Sequence, residues 1–285
     1  MAVDLGVEVP KNSKKEEEGK LETPQEKKVV SIFSAEEAVK KASNREYQNF
    51  ICALVAGQDD TGKTGIVLDY ASRQPKKTLV IDVDLGAYEV VAAYHGKEKK
   101  IIVPEGIIVK DDYKQTIDNM VALITYVKDH KEEYSVFVMD GLSTLLKYCE
   151  YIMRIEKNIS ADGGVSLRYW VERNKKFIEI LEYIKSIQGI DKFFIAHEDF
   201  ITSEETAAVK IKTNQMIHQR IICKKIKEKD GIGKDAKPTG NIYFEATIDK
   251  SKYNLEKQGK AYIFAKVPKT GKPTWNIEGI FEGLK

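Results

Sequence analysis

The chain has 285 residues, 42% of them hydrophobic, which is enough for a sizeable buried core in one large α/β domain or two small ones. The formal net charge is only +2, which excludes a global basic field and leaves any nucleic-acid contact to a local patch. The few, widely spaced cysteines, Cys52, Cys149 and Cys223, argue against a disulfide framework or a zinc site, and no apolar run approaches the length of a membrane span.

From that balance the expectation is a soluble protein with inert core thiols and no membrane association. Its expected place is the cytoplasm. Residues 1–45 divide from the rest on composition. The stretch from Lys11 to Lys20 is a mixed-charge run, and the first thirty residues have little apolar periodicity, which predicts a largely disordered tail; a binding arm is the competing reading. Val29 to Phe33 (VVSIF) is β-like. Ser34 and Glu37 have capping-box spacing for a short helix that ends near Asn44.

Phe50 to Ala56 (FICALVA) is a short continuous apolar run, the pattern of a strand buried on both faces. Gly57-Gln58-Asp59-Asp60-Thr61-Gly62-Lys63-Thr64 follows and fits the phosphate-binding loop G-x-x-x-x-G-K-[ST]; Gly65 to Arg73 then reads as a helix. Chemistry requires this order. Glycines let backbone N–H groups turn inward on a polyphosphate, and the helix N-terminus adds partial positive charge. In such a loop Lys63 reaches the β- and γ-phosphates, and the Thr64 hydroxyl takes a position on Mg²⁺.

Lys77 to Asp84 (KTLVIDVD) is a second apolar strand, ending in two acids. Short β-like pieces follow at Ile101–Val103 and Gly106–Val109. Ile117, Met120, Val121, Ile124 and Val127 fall at helical spacing within 112–131. Tyr134 to Asp140 (YSVFVMD) is a third buried strand. Its terminal Asp140 has the look of a Walker B carboxylate, delivered to the mouth of a sheet where it holds Mg²⁺. A helix from Leu142 to Ile155, a polar break at 156–164 and a long helix from Ser166 to Ile187 lead to the strand Asp191–Ala196. His197 stands at its end, placed to touch a γ-phosphate; an ordinary strand-end histidine is the alternative.

Residues 199–216 are polar and aperiodic, which predicts a mobile loop, and 217–227 resume β character. Lys224, Lys225, Lys227, Lys229, Lys234 and Lys237 crowd the stretch up to Asn241, as a solvated hairpin tip or as a contact to a phosphate backbone. Thr247–Leu255 and Lys260–Val267 read as two strands joined near Gln258-Gly259, followed by Lys269 and a last apolar piece from Trp275 to Phe281.

Taken in order, the phosphate loop, IDVD, VFVMDGLS, LRYW, FFIAHE and AKVPKTG resemble the RecA-type ATPase core over roughly residues 46–285. That superfamily includes RecA and RadA recombinases, DnaB-type helicases, KaiC-like ATPases and the Sak-type single-strand annealing proteins of phages and archaeal viruses, and the small viral members are the most similar. The resemblance implies an α/β fold: a twisted, mainly parallel sheet flanked by helices, with a C-terminal antiparallel hairpin. It implies Mg²⁺-dependent ATP hydrolysis, with Asp84 activating water where the family usually has Glu, Asp140 and Thr64 on Mg²⁺, and His197 sensing the γ-phosphate. Lys266 and Lys269 match basic residues that act on a neighbouring subunit's nucleotide in a ring or filament homo-oligomer. Single-stranded DNA is the implied partner. A KaiC-like regulatory or assembly ATPase without DNA binding is the alternative.

Overall fold

The computed structural model of the chain describes residues 34–43, 50–95, 100–204, 206–230, 237–270 and 273–282. By its internal contacts the chain divides into two units, Met1–Tyr47 and Gln48–Lys285. Of the first, the helix α1 (Ala35–Ser43) is described, and the Glu37 N–H donates to Ser34 Oγ at 3.2 Å, the expected cap. The charged tail and the β-like Val29–Phe33 lie outside the described residues.

The second unit is built on a sheet in which nine strands are described: β1 (Cys52–Gly57), β2 (Lys77–Asp82), β3 (Ile101–Ile102), β4 (Tyr134–Asp140), β5 (Asp191–His197), β6 (Gln219–Asp230), β7 (Lys237–Ser251), β8 (Ala261–Val267) and β9 (Thr274–Trp275). Their order is β3-β2-β4-β5-β1-β6-β7-β8-β9. The pairings from β3 across to β6 are parallel, and β6 to β9 continue as an antiparallel extension. The helices are α2 (Lys63–Ser72), α3 (Ala87–Val90), α4 (Tyr113–Asp129), α5 (Leu142–Glu156), α6 (Leu167–Lys185), α7 (Asp199–Thr202) and α8 (Ala207–Met216).

Successive strand residues point to opposite faces, so each central strand feeds two cores. Leu54, Ile81, Phe137, Met139 and Phe194 pack under the apolar faces of α4, α5 and α6, together with Phe200 and Val209. Ala53, Val55, Val80, Val136, Val138 and Ile195 pack on the other side against Ile66, Val67 and Leu68 of α2, and against Phe264, Ile277 and Phe281 from the C-terminal segment. Burial on both faces is why these strands read as continuous apolar runs rather than alternating ones. At the edge away from the phosphate loop, buried Asp191 accepts the Ile51 N–H at 2.8 Å and the Tyr70 O–H at 2.5 Å, tying the starts of β5 and β1 to the end of α2. Cys52, Cys149 and Cys223 are buried thiols, and burial pushes Cys149 and Cys223 up to about 12.

Four expectations need correction. Residues 199–216 are not one loop: they carry α7 and α8, with Phe200, Val209 and Thr213 drawn into the core and Ile201 and Met216 packed against it. Gly106–Val109 forms no strand. The lysine-rich stretch is mostly ladder rather than tip, since β6 and β7 pair as far as Asp230 and Lys237. The following hairpin is wider than Gln258-Gly259 alone, because Leu255–Lys257 turn as a 3₁₀ segment between β7 and β8.

Candidate active site

The phosphate loop runs from the end of β1 into α2 as the motif requires. Gly57 pairs with His197 on one side and with Cys223 on the other, so β1 lies between β5 and β6. Gln58, Asp59 and Asp60 are exposed at the loop's crest. The Thr61 hydroxyl donates to the Gln58 carbonyl at 2.8 Å, and Lys63 Nζ donates to the same oxygen at 2.6 Å. Lys63 is thus folded back on its own loop, with a single backbone carbonyl to release when an anion arrives. Gly62 sits in the left-handed conformation at the N-cap of α2.

Thr64 and Asp140 meet across the mouth of the sheet: the Thr64 hydroxyl donates to Asp140 Oδ2 at 2.7 Å. Asp140 is buried, and burial pushes its carboxyl up to about 7; the Thr64 hydrogen bond and Lys63 oppose this, while Asp82 and Asp84 add to it. A hydroxyl and a carboxylate oxygen are hard donors, and a desolvated carboxylate crowded by two others is where a hard cation relieves the most charge. The residues therefore fit Mg²⁺, which characteristically takes one or two protein oxygens and completes its shell with phosphate and water. Among the described residues no group of three or more His, Cys, Asp or Glu is set to hold a metal.

The two acids of IDVD separate. Asp82 ends β2 and points back into the fold, its carboxylate accepting from the backbone N–H groups of Gly86, Ala87 and Tyr88 at 3.2, 2.7 and 3.3 Å. Burial raises its pKa against those hydrogen bonds. It is a cap for α3. Asp84 lies two residues past the strand, in a turn where Leu85 has φ of 60°, and faces the site. Its Oδ1 accepts from the Thr144 hydroxyl at 2.5 Å and its Oδ2 lies 3.2 Å from His197 Nε2. Gly141 makes room for it: a Cβ there would stand 2.7 Å from Asp84 Oδ1, and its φ of 100° disfavours other residues.

His197 ends β5, the strand between β1 and β4, and its N–H donates to Ser143 Oγ at 3.1 Å. Its other ring nitrogen, Nδ1, lies 2.7 Å from Asp59 Oδ1. Gly57–Gly65, Asp84, Asp140 and His197 are therefore gathered at one edge of the sheet. Lys266 and Lys269, at and just past the end of β8, stand at the same edge but have partners of their own. Lys266 Nζ rests 5.2 Å from the centroid of the Tyr243 ring, and Lys269 gives its backbone N–H to Asn241 Oδ1 at 3.0 Å.

A cavity of about 590 Å³ adjoins the loop, lined by Asp60 to Gly65 and by Glu89, Lys225, Phe244, Val267 and Trp275. Phe244 and Trp275 escaped the sequence reading because nothing in the order of the chain marks them as neighbours of the loop. The one available signal was the small residue Gly65 after Thr64. A Cβ at Gly65 would stand 2.2 Å from the Trp275 ring, so the indole lies directly on the first turn of α2.

A family model described as AAA domain matches residues 49–229, more than half of the chain, from β1 and its phosphate loop to the end of β6. The chain belongs to the AAA domain family. No curated protein matches this AAA domain protein in sequence. Among solved structures it is similar to the crystal structure of the RadB recombinase, with 15% identity, 76% of this chain and 88% of that chain covered, and a TM-score of 0.47. In this AAA domain β1 and β4 flank β5, and the mainly parallel sheet, with helices on both faces, is extended by antiparallel strands. Among its described residues no helix is long and apolar enough to cross a membrane.

Proposed function

We propose that this protein is a Mg²⁺-dependent ATP hydrolase that acts on single-stranded DNA in recombination, annealing or replication, in the cytoplasm of an archaeal cell or of a virus-infected host. The observation that carries the hydrolase reading is the Thr64–Asp140 hydrogen bond of 2.7 Å at the foot of the phosphate loop, with Asp84 beside it. Lys63 leaves the Gln58 carbonyl for the phosphates, and the loop amides hold them. Thr64 and Asp140 would hold the metal, which neutralises charge on the phosphate oxygens when bound. Asp84 orients or deprotonates the attacking water. His197 senses the γ-phosphate through Asp84, which faces its Nε2, and Phe244 and Trp275 offer faces to the base. Lys266 and Lys269 act on a neighbour's nucleotide within a ring or filament.

Support for DNA comes from β6, where Lys224, Lys225, Lys227 and Lys229 are exposed along one strand beside the phosphate loop. One observation favours the rival, a KaiC-like regulatory ATPase with a protein partner: residues 199–216 are folded, with Phe200 in the core, so that segment has no free aromatic ring for stacking bases. Fluorescence-anisotropy titration of single-stranded DNA across a salt series decides between them. The DNA reading predicts affinity that falls steeply with salt. It also predicts a shallower slope for K224E/K227E, by about one unit for each phosphate that the variant no longer neutralises. Absence of binding at low salt selects the regulator.

A further inference from the structure

Asp59 is an odd residue to find where it is. The crest of the phosphate loop has two adjacent carboxylates, Asp59 and Asp60, where a polyphosphate has to approach. The Asp59 side chain is 82% exposed and lies 2.7 Å from His197 Nδ1. The opposite ring nitrogen, Nε2, is 3.2 Å from Asp84 Oδ2. One imidazole therefore joins the phosphate loop to the carboxylate assigned to the attacking water, and Thr144 closes the chain by donating to the far oxygen of Asp84 at 2.5 Å.

We infer that Asp59 is a positioning residue for hydrolysis: it holds the His197 ring in one orientation and tautomer, so that Nε2 is presented to Asp84. The inference rests on the ATP-hydrolase reading above. Hydrogen-bond accounting supports the direction. A neutral ring has one N–H, and the nearer carboxylate takes it, which is that of Asp59. Nε2 is then an acceptor 3.2 Å from Asp84 Oδ2, and the two form a hydrogen bond once Asp84 takes a proton from water, which it passes to Nε2 as the hydroxide oxygen bonds to the γ-phosphorus and the bond to the β-phosphate oxygen breaks. A doubly protonated ring instead donates to both carboxylates and holds Asp84 as the anion. Either way the ring cannot turn while Asp59 is on Nδ1.

The geometry of the strands leads to the same conclusion. His197 is the register partner of Gly57, so its side chain emerges beside the first residue of the loop, two residues from Asp59. Its backbone is fixed by the bond to Ser143, which leaves rotation of the ring as the freedom for Asp59 to remove.

The test compares D59N, D59E, H197Q and D59N/H197Q with the wild type in steady-state ATP turnover, beside Lys63→Ala. The exposed position of Asp59 leaves little fold to disturb. The expected result is a loss of about 10-fold in kcat for D59N with KM unchanged or lowered, recovery in D59E, and no further loss when D59N is added to H197Q. Wild-type kcat in D59N, or a loss that multiplies with that of H197Q, overturns the inference. Failure of the underlying reading looks different: wild-type turnover that is absent or survives Lys63→Ala. In that event the imidazole ¹⁵N–¹H spectrum of the nucleotide-free protein still decides whether Asp59 holds the ring. A protected, downfield His197 Nδ1–H signal that D59N abolishes supports it, and a spectrum unchanged by D59N contradicts it.

Discussion

Thr64 and Asp140 stand 76 positions apart in the chain, and their side chains meet at 2.7 Å. The meeting follows from sheet order. β4 and β1 flank β5, so the carboxylate at the end of one strand faces the hydroxyl at the start of the helix that follows the other. The cost of the arrangement falls on Asp140, which is desolvated among other acids until a cation reaches it.

Asp140→Asn should therefore separate stability from turnover. The folded pKa of Asp140 is pushed up to about 7 by burial, above the ordinary value of 3.8. The folded state thus binds the proton more tightly than the unfolded chain, and wild-type stability falls as pH rises from about 4 through about 7. An amide keeps the Thr64 hydrogen bond and has no charge to desolvate. At pH 8 without nucleotide, D140N should be more stable than wild type by on the order of 4 kcal/mol, with the difference vanishing near pH 4, while ATP turnover drops at least about 100-fold. Thermal melts across that pH range read the first effect and phosphate release the second.

Gly141→Ala should damage the site through Asp84. The added methyl would stand 2.7 Å from Asp84 Oδ1, and the backbone is at φ 100°. A loss of about 1–3 kcal/mol in unfolding free energy is expected, with a fall in kcat beyond what the reduced stability explains at a temperature where the variant is fully folded. Chemical denaturation paired with turnover at low temperature measures both.

Trp275 should report nucleotide directly. It is one of two tryptophans, and it lies against Gly65 in the wall of the cavity beside the loop, whereas Trp170 packs between Arg154 and Arg173 on the helices of the opposite face. Intrinsic fluorescence should change on titration with ATP in wild type and in W170F, and stay flat in W275F. A signal that follows Trp170 instead would move the nucleotide away from this cavity.

Asp191→Ala offers a structural contrast. It strips the buried Ile51 N–H and Tyr70 O–H of an acceptor at the edge of the sheet away from the phosphate loop. A loss of about 2–4 kcal/mol is expected, with ATP affinity of the folded fraction unchanged. A change in affinity would show that the two edges are coupled.

How much of this was legible beforehand depended on which physical rule governed each segment. The strands β1 and β4 and the helix α4 were readable within a residue or two of their ends, because burial on two faces forces continuous apolar runs and burial on one face forces helical spacing. The phosphate loop was readable because its glycines answer to backbone geometry. α8 was not, since only Val209 and Thr213 are buried on it and two positions make no periodicity. The contact of His197 with Asp59 and Asp84 was out of reach as well: it depends on where three strand ends fall relative to one another. So was the division of labour between Asp82 and Asp84, which the turn after β2 decides by pointing one inward and one to the site. The packing of Trp275 on Gly65 joins segments that no local pattern connects.

The most direct test of the central claim is ATP turnover by the purified protein with Mg²⁺, beside Lys63→Ala and a sample treated with EDTA. Lys63 Nζ is held by a hydrogen bond to the Gln58 carbonyl of its own loop, so its truncation leaves the fold intact. The account predicts phosphate release by the wild type that is abolished in the variant and without metal, at least about 100-fold in each case. Turnover that persists in Lys63→Ala, or a wild type that neither binds nor hydrolyses ATP, would contradict it.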